Sequence, residues 1–98
     1  MFARVATFEG AEPGQLKEVL DEIRERSKSG PPEGVNGKAL YILTDADNGK
    51  VLSIGLFETE EDLKQGHEVL NSMDPPVPGG LGNRTSVDLM EVALKVEA

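Results

Sequence analysis

The sequence predicts an α+β fold in which four strands form one antiparallel sheet and two helices cover it. Segments with strand-like alternation and segments with helical spacing follow one another in the order strand, helix, strand, strand, helix, strand. An Asn-Gly pair separates the second and third strands, and such a pair between two apolar runs is a strong hairpin signal. Proline-containing runs follow each helical segment and predict where it ends.

The chain begins with a strand and a helix. The segment Phe2 to Glu9 (FARVATFE) alternates loosely between apolar and polar residues, and Gly10 and Ala11 interrupt it. Pro13 suits the first turn of a helix, where its missing N–H costs nothing. An apolar stripe at helical spacing follows, made of Leu16, Val19, Leu20 and Ile23. The run Ser29-Gly30-Pro31-Pro32 ends this helix.

Two strands joined by a hairpin come next. We expect the second strand at Lys38–Asp45 (KALYILTD) and the third at Lys50–Glu58 (KVLSIGLFE). Between them, Asn48 and Gly49 both tolerate the positive φ of a tight turn. The segment Asp45 to Gly49 resembles a calcium-binding loop, but its spacing fails because the glycine comes one residue early. We interpret the segment as the hairpin turn and expect no metal site.

The second helix has signals at both ends. Thr59 is a suitable N-cap, and the acidic residues at 60–62 lie at the positive end of the helix dipole. The run Asp74-Pro75-Pro76 ends the helix, and a loop rich in proline and glycine follows at residues 75–83. That loop is interpreted as a lid, a plain connection or an arm reaching a partner. Residues 85–96 then alternate as the fourth strand, with every second residue from 90 to 96 apolar.

The order βαββαβ is most often found in the ferredoxin-like fold, an antiparallel sheet with two helices on one face. At 98 residues, the chain is expected to form a single domain, residues 1–98. The other face of the sheet would then be open and should be polar in a monomer. Instead, three strands carry large apolar residues on both faces. In the third strand, Leu52, Ile54 and Leu56 point one way, whereas Val51 and Phe57 point the other.

This pattern predicts a partner for the second face of the sheet. Leaving an apolar sheet face in water would cost on the order of 25 cal/mol per Å², and large apolar patches usually mark an interface. The simplest cover is the same face of a second copy, related by two-fold symmetry. We therefore expect a homodimer through the sheet faces. The alternative is that scattered apolar residues are tolerated on the surface.

Composition argues against several classes of protein. The formal net charge of −8 repels a phosphate backbone, and four aromatic residues offer little stacking surface for RNA, so we expect no nucleic acid partner. No apolar run approaches the roughly 20 residues that a membrane span needs, so we expect no membrane partner. The N-terminus lacks the features of a signal peptide, and the chain has no cysteine. Both features fit a cytoplasmic protein.

The order βαββαβ, the two-faced strands and two segments carry a family resemblance. The segments are LFETEEDLKQGHEVLNSM at residues 56–73 and RTSVDLMEV at residues 84–92. Together they resemble the dimeric α+β barrel superfamily and, within it, the antibiotic biosynthesis monooxygenase-like proteins and their small bacterial relatives. The resemblance covers nearly the whole chain. It implies a homodimer with a pocket in each subunit and cofactor-free oxidation of a small aromatic or polyketide-like compound.

A second branch of this superfamily degrades haem, using a helix histidine, an asparagine of the first strand and a tryptophan. The helix histidine has a counterpart here in His67. The first strand has no asparagine, however, and the chain has no tryptophan. We therefore expect neither haem nor another cofactor.

His67, the only histidine of the chain, is the candidate catalytic residue. It lies at the edge of the apolar stripe of the second helix, where a side chain can face both a pocket and water. A neutral imidazole at this position could accept a proton from a phenolic substrate or orient that substrate. The alternative is a boundary histidine with one hydrogen bond and no role in function. The neighbouring Gly66 is expected to let the helix approach the sheet closely.

Tyr41, Asn71 and Arg84 are the candidate ligand-binding residues. The resemblance implies pocket residues of these types, because the polyphenol oxygenases of the superfamily use tyrosine, tryptophan, arginine and asparagine. Tyr41 could orient a ligand or pack with its hydroxyl at the rim of the core. Arg84 could bind an anionic substrate through its planar guanidinium or form a surface ion pair.

Two further interpretations of function stay open beside the enzyme. The protein could be a non-catalytic module that binds a small apolar or aromatic molecule without turnover. It could also be a purely structural dimer, for which no cavity of ligand size should exist.

Overall fold

The structure is a computed structural model that describes residues 1–72 and 80–98. Its elements are β1 (Phe2–Glu9), α1 (Pro13–Ser27), β2 (Gly37–Asp45), a 3₁₀ turn (Ala46–Asn48), β3 (Lys50–Phe57), α2 (Glu60–Ser72) and β4 (Asn83–Glu91). The strands form one antiparallel sheet in the order β2-β3-β1-β4. The predicted α+β fold of the ferredoxin-like type is confirmed.

Both helices pack on the same face of the sheet. Val51 and Phe57 lie six residues apart in β3 and therefore point to one face. Leu16 and Val19 of α1 form the buried core with Val51. Gly66 of α2 lies against Phe57 so closely that a Cβ atom there would be 2.6 Å from the ring. The close approach predicted for this glycine is confirmed. None of the helices in residues 1–72 and 80–98 is long and apolar enough to cross a membrane.

The start of α2 agrees with the prediction. The Asp62 N–H donates to Thr59 Oγ1 at 3.1 Å, and the Leu63 N–H donates to the carbonyl oxygen of the same threonine at 3.1 Å. The Thr59 side chain therefore satisfies one of the N–H groups that a helix start leaves without a partner, and its carbonyl oxygen accepts the first bond of the helix itself. The predicted end of the helix at residues 74–76 and residues 75–79 of the predicted loop lie outside the described residues.

The β2–β3 hairpin is confirmed, but its turn differs from the expected one. Asn48 lies in the 3₁₀ turn, and its Nδ2 donates to Asp45 Oδ2 at 2.7 Å. Gly49 alone enters the left-handed region, with φ of 64°. Its N–H closes the turn on the Ala46 carbonyl oxygen at 3.3 Å. The connection spans residues 46–49, as the predicted strand bounds imply, but Asn48 does not adopt the positive φ expected of the Asn-Gly pair.

The prediction that β4 extends to residue 96 is wrong, because the strand ends at Glu91. Its ladder with β1 ends where Glu91 pairs with Phe2, and one further bond joins the Val92 N–H to the Met1 carbonyl oxygen at 2.9 Å. Residues 93–98 extend beyond β1 and pair with no strand among the described residues. The sequence pattern predicts alternation correctly, but a strand also needs a neighbour with which to form hydrogen bonds.

The face of the sheet opposite the helices carries many apolar side chains. Register and alternation place on this face Ala3, Val5, Ala39, Tyr41, Leu43, Leu52, Ile54, Leu56 and Met90, which we term the open face. Tyr41 and Leu43 are about half exposed, at 55% and 49%. Apolar residues therefore lie on both faces of the sheet, as the sequence predicts.

Candidate functional site

Three of the four predicted site residues lie in one hydrogen-bonded group. Asn71 Oδ1 accepts a hydrogen bond from Arg84 Nη1 at 2.7 Å, and Asn71 Nδ2 lies 3.3 Å from His67 Nε2. A fourth side chain joins them from β1. Arg4 Nε donates to His67 Nδ1 at 3.1 Å, and Arg4 Nη2 donates to Asn71 Oδ1 at 3.4 Å. We refer to Arg4, His67, Asn71 and Arg84 as the guanidinium cluster.

The helix members of the cluster are neighbours for a simple reason. His67 and Asn71 are four residues apart in α2, and side chains at this spacing lie one turn apart on the same side of a helix. Arg4 and Phe8 are four residues apart in β1, so their side chains point to the same face of the sheet. Phe8 packs against the core under the helices, and Arg4 therefore faces α2.

A β-bulge brings Arg84 to the same side of the sheet. Thr7 pairs with Ser86, whereas the next residue of β1, Phe8, pairs with Arg84, so Thr85 is an extra residue in β4. In a regular ladder Arg84 would lie opposite Glu9 and would point to the open face. The bulge therefore turns this guanidinium toward the helices and Asn71.

Arg4 is the electrostatic centre of the cluster. It is 7% exposed and is the one buried charged residue in the part of the chain that the structure describes. Burial, followed by the positive charge of Arg84, lowers the pKa of Arg4 below its ordinary value. A guanidinium nevertheless stays protonated in proteins. The site thus holds two positive charges close together, one of them largely removed from water.

Neutral acceptors hold these two charges. Five ion pairs form among residues 1–72 and 80–98, and none of them includes Arg4 or Arg84. Their acceptors within these ranges are an imidazole nitrogen and an amide oxygen. A buried charge is normally compensated by an opposite one. This arrangement has the chemistry of an anion-binding site.

Tyr41 is not part of the cluster. It pairs with Ile54 of β3, and its side chain lies on the open face, whereas the cluster lies under the helices. The structure therefore separates Tyr41 from the other three predicted site residues of the chain. A ligand-binding role for Tyr41 stays a prediction.

Neither of the two most clearly formed cavities among the described residues is lined by a member of the cluster. The larger has a volume of 680 Å³, within the range of small-molecule sites. Its walls include Ile23, Val35, Leu40, Gly55, Phe57 and Leu70. The smaller, of 260 Å³, lies near Phe2, Leu63 and Leu89.

The larger cavity adjoins the cluster on two sides. Gly55 in its floor pairs directly with Arg4 across the β1–β3 ladder, and adjacent strands lie about 5 Å apart. Leu70 in its wall follows His67 by three residues on α2. A Cβ atom at Gly55 would lie 3.4 Å from the Phe57 ring, so this buried ring covers Gly55 at the edge of the cavity nearest Arg4.

The cluster is poorly suited to binding a metal. No group of three His, Asp or Glu residues that could hold a metal ion occurs in residues 1–72 and 80–98. His67 Nδ1 already accepts from Arg4, and Nε2 lies beside the Asn71 amide. A metal or haem iron bound by either nitrogen would have to displace one of these neighbours and would lie beside two guanidinium groups.

Arg4 is a member of the cluster that was not predicted, although the sequence holds a signal for it. The residues at positions 2, 4, 6 and 8 of β1 share one face, and three of them are apolar. An arginine at an inward-facing position of such a strand indicates a charge that the fold keeps under the helices.

No protein-family model matches this chain, and no curated protein sequence matches it. The geometry of the cluster and of the adjoining cavity therefore carries the functional argument.

Proposed function

We propose that the protein binds the ionised form of a small aromatic or polyketide-like compound and oxidises it with dioxygen, without a cofactor. The observation that carries the proposal is the buried guanidinium of Arg4, held beside Arg84 by neutral acceptors. Two nearby positive charges favour the ionised form of a bound phenol or enol and lower its pKa. The resemblance to antibiotic biosynthesis monooxygenase-like proteins supports the same chemistry.

The adjoining cavity supports an aromatic ligand. Its volume of 680 Å³ accommodates a compound of several fused rings, and most of its walls are apolar. In the proposed complex the rings occupy this cavity, and the ionised oxygen points across Gly55 toward Arg4. Substitution of Gly55 by valine would press on the Phe57 ring that lines the cavity, because a Cβ atom there already lies 3.4 Å from that ring, and should weaken binding.

Ionisation prepares the substrate for dioxygen, because an electron-rich anion gives up electrons more readily than the neutral molecule. In the net reaction an activated ring methylene becomes a ketone. The carbon loses two hydrogen atoms and gains one oxygen atom, and the second oxygen atom leaves as water. All four electrons that reduce dioxygen come from the substrate, so no external reductant is required. The cluster would contribute by holding the anion and its developing charge in place.

The proposed molecule is a homodimer that forms through the open face and acts in the cytoplasm. The apolar side chains of that face support a second copy as its cover. Tyr41 would then lie in or near the dimer interface, because it belongs to the open face.

Oxygen uptake tests the proposal. A panel of hydroxylated polycyclic compounds that carry a ring methylene is incubated with the protein in an oxygen electrode, and the products are analysed after reaction with ¹⁸O₂. We expect uptake with at least one compound and one labelled oxygen atom per product. Arg4→Met should lower kcat by about 10²-fold. Arg24→Met is the matched control, because Arg24 lies exposed on α1 and pairs with Asp21. Binding of panel compounds at the cluster with no oxygen uptake for any of them would overturn the oxidation.

A second candidate is a binding protein without turnover. The observation that favours it is that Arg4 already occupies the Nδ1 lone pair of His67, which a general base would need. Binding of aromatic anions measured by calorimetry, with no oxygen uptake for any of them, would identify this function.

A further inference from the structure

We propose that Arg4 fixes His67 in the tautomer that carries its proton on Nε2, so that the guanidinium cluster is a donor-only site selective for an organic anion. The proposal rests on the proposed binding site, and it does not require turnover. Arg4 acts here as a positioning residue, because it works through the imidazole of His67.

The contact between Arg4 and His67 determines the tautomer. A guanidinium nitrogen carries hydrogen and has no acceptor capacity, so its bond to His67 Nδ1 at 3.1 Å requires a lone pair on that nitrogen. A neutral imidazole with a lone pair on Nδ1 carries its single proton on Nε2. Because Arg4 is buried and keeps its charge, it holds this preference in the folded protein.

The amide of Asn71 is oriented by the same logic. Its oxygen accepts from Arg84 at 2.7 Å and from Arg4 at 3.4 Å, so its NH₂ group is the part that lies 3.3 Å from His67 Nε2. In the Nε2–H tautomer, two donors then face each other across this gap. Neither the Asn71 NH₂ group nor the His67 Nε2–H can accept a hydrogen bond from the other, so each can donate one to a bound ligand. A flipped amide would relieve this contact but would turn its NH₂ group toward two guanidinium groups.

The protons that the cluster leaves for a ligand therefore belong to donors, those of His67 Nε2, the Asn71 amide and the two guanidinium groups. An oxyanion accepts several such bonds, and charge-assisted bonds are stronger than neutral ones. A neutral amide or a basic ligand of the same size offers less acceptor capacity or adds positive charge. The chemical class that fits is an aromatic carboxylate, phenolate or enolate, with its ring in the cavity beside Gly55.

This assignment gives His67 a different role from that of a base. Its Nδ1 lone pair belongs to Arg4, and its Nε2 carries a proton, so the imidazole donates to the ligand oxygen. The ligand must then arrive ionised or lose its proton to water. Among compounds of one shape, the more acidic ones should bind more tightly at a fixed pH.

Because His67 is the only histidine, nitrogen NMR of the imidazole reads this tautomer without ambiguity. The wild-type protein labelled with ¹⁵N-histidine should show a protonated Nε2 and an unprotonated Nδ1 at neutral pH. Arg4→Met keeps the length of the side chain but removes its donors, and a mixture of tautomers should appear. Arg24→Met removes an exposed guanidinium on α1 and should leave the signals unchanged. A wild-type ring protonated on Nδ1 would overturn the proposal, even if the Arg4 variant failed to fold.

Ligand selectivity provides the second test, with benzoate and benzamide as probes of equal size. Benzoate should shift the His67 Nε2 resonance and bind at least about tenfold more tightly than benzamide, because charged acceptors make stronger bonds. Equal affinity for the two would overturn the inference. If no oxygen uptake is found, the oxidation fails, but the tautomer and selectivity tests still apply. If the protein turns over a substrate while His67 is protonated on Nδ1, the proposed function stands and this inference fails.

Discussion

Asn71 joins two positively charged side chains through one neutral oxygen. Its Oδ1 accepts from Arg84 at 2.7 Å and from Arg4 at 3.4 Å. A carboxylate in this position would form stronger, charge-assisted bonds and would neutralise one of the two charges. The amide therefore lowers the stability of the empty protein but keeps the charge of the site available for a ligand.

Replacement of Asn71 by aspartate should consequently raise the stability of the protein and weaken its binding of an anion. Asn71 is exposed, so we expect a modest gain of about 0.5–1 kcal/mol in the free energy of unfolding. For a chain of this size, that gain raises the Tm by roughly 2–8 °C. Binding of benzoate should fall at least about tenfold, because an internal carboxylate competes for the guanidinium groups. Thermal unfolding with and without benzoate measures both effects.

Asn36→Asp is the matched control for this change. It introduces the same charge at an exposed position between α1 and β2 and should leave benzoate binding unchanged. An Asn71→Asp protein that is less stable than the wild type, or that binds benzoate equally well, would contradict the proposed electrostatics of the cluster.

Gly66 allows a second residue-scale prediction. A Cβ atom at this position would lie 2.6 and 2.8 Å from two ring atoms of Phe57, which is buried. Overpacking of this kind costs about 1–3 kcal/mol, more than the roughly 1 kcal/mol that alanine gains over glycine in a helix. Gly66→Ala should therefore destabilise the protein in urea unfolding.

The control is Gly14→Ala in α1, where a Cβ atom would meet nothing within 4 Å. It should leave stability unchanged or raise it by up to about 1 kcal/mol. If Gly66→Ala were as stabilising as Gly14→Ala, the close packing of α2 on the sheet would be disproved.

Part of the candidate site could be predicted from single residues. His67 and Asn71 are separated by one helical turn, and this local spacing is visible in the sequence. Arg4 was missed because its importance depends on which face of β1 lies under the helices. Arg84 reaches the cluster only through the bulge at Thr85, and a bulge arises from strand pairing that a single sequence does not display. Tyr41 was predicted as a site residue because tyrosine is a common pocket residue in the similar proteins. Its pairing with Ile54 places it on the open face, away from the cluster.

At the scale of elements, the β2–β3 turn is tied to the start of α1. The Ala11 N–H donates to the Gly49 carbonyl oxygen at 3.2 Å. Gly49 has φ of 64°, a conformation that costs a residue with a Cβ atom about 1–2 kcal/mol. One glycine thus shapes the hairpin and joins it to the segment that follows β1.

Gly49→Ala should lower the free energy of unfolding by about 1–2 kcal/mol, because alanine is strained at this φ. Its Cβ would also lie 3.4 Å from the Ala11 carbonyl oxygen. Gly49→Asn should cost less, since asparagine adopts the left-handed conformation more readily. Urea unfolding of both variants measures the difference. Equal losses would show that crowding at Ala11, rather than φ, determines the cost.

The ends of the elements were predictable to different degrees. Thr59 begins α2 as expected, because an N-cap acts on N–H groups two or three residues away. The end of β4 at Glu91 depends instead on where β1 stops pairing, which is a tertiary property. Local signals therefore predict helix starts better than strand ends.

At the scale of the whole molecule, the C-terminal segment adds exposed apolar side chains to those of the open face. Leu94 and Val96 are each 80% exposed, and they continue the alternation of Met90 and Val92 beyond the last strand. A second copy packed on the open face could cover the sheet and this segment together. Stable interfaces bury about 800 Å² on each partner, which is of the order of one face of a small sheet.

Ile54→Lys tests this dimer at the centre of the face. Ile54 pairs with Tyr41 on one side and Val5 on the other, and its side chain points away from the helices. Burying an uncompensated ammonium group in the interface costs several kcal/mol. Light scattering should give the wild type twice the chain mass of 10.5 kDa and should give the variant 10.5 kDa. Far-UV circular dichroism should show that the variant keeps its fold.

Gln65→Lys is the control, because it adds the same charge on the exposed side of α2 and should remain dimeric. A monomeric wild type, or a dimeric Ile54→Lys protein, would remove the open face as the interface. All four members of the guanidinium cluster belong to one protomer and lie on the opposite side of the sheet from Ile54. Monomeric Ile54→Lys should therefore still bind benzoate. Loss of both dimer and binding in a folded variant would mean that the second copy completes the site.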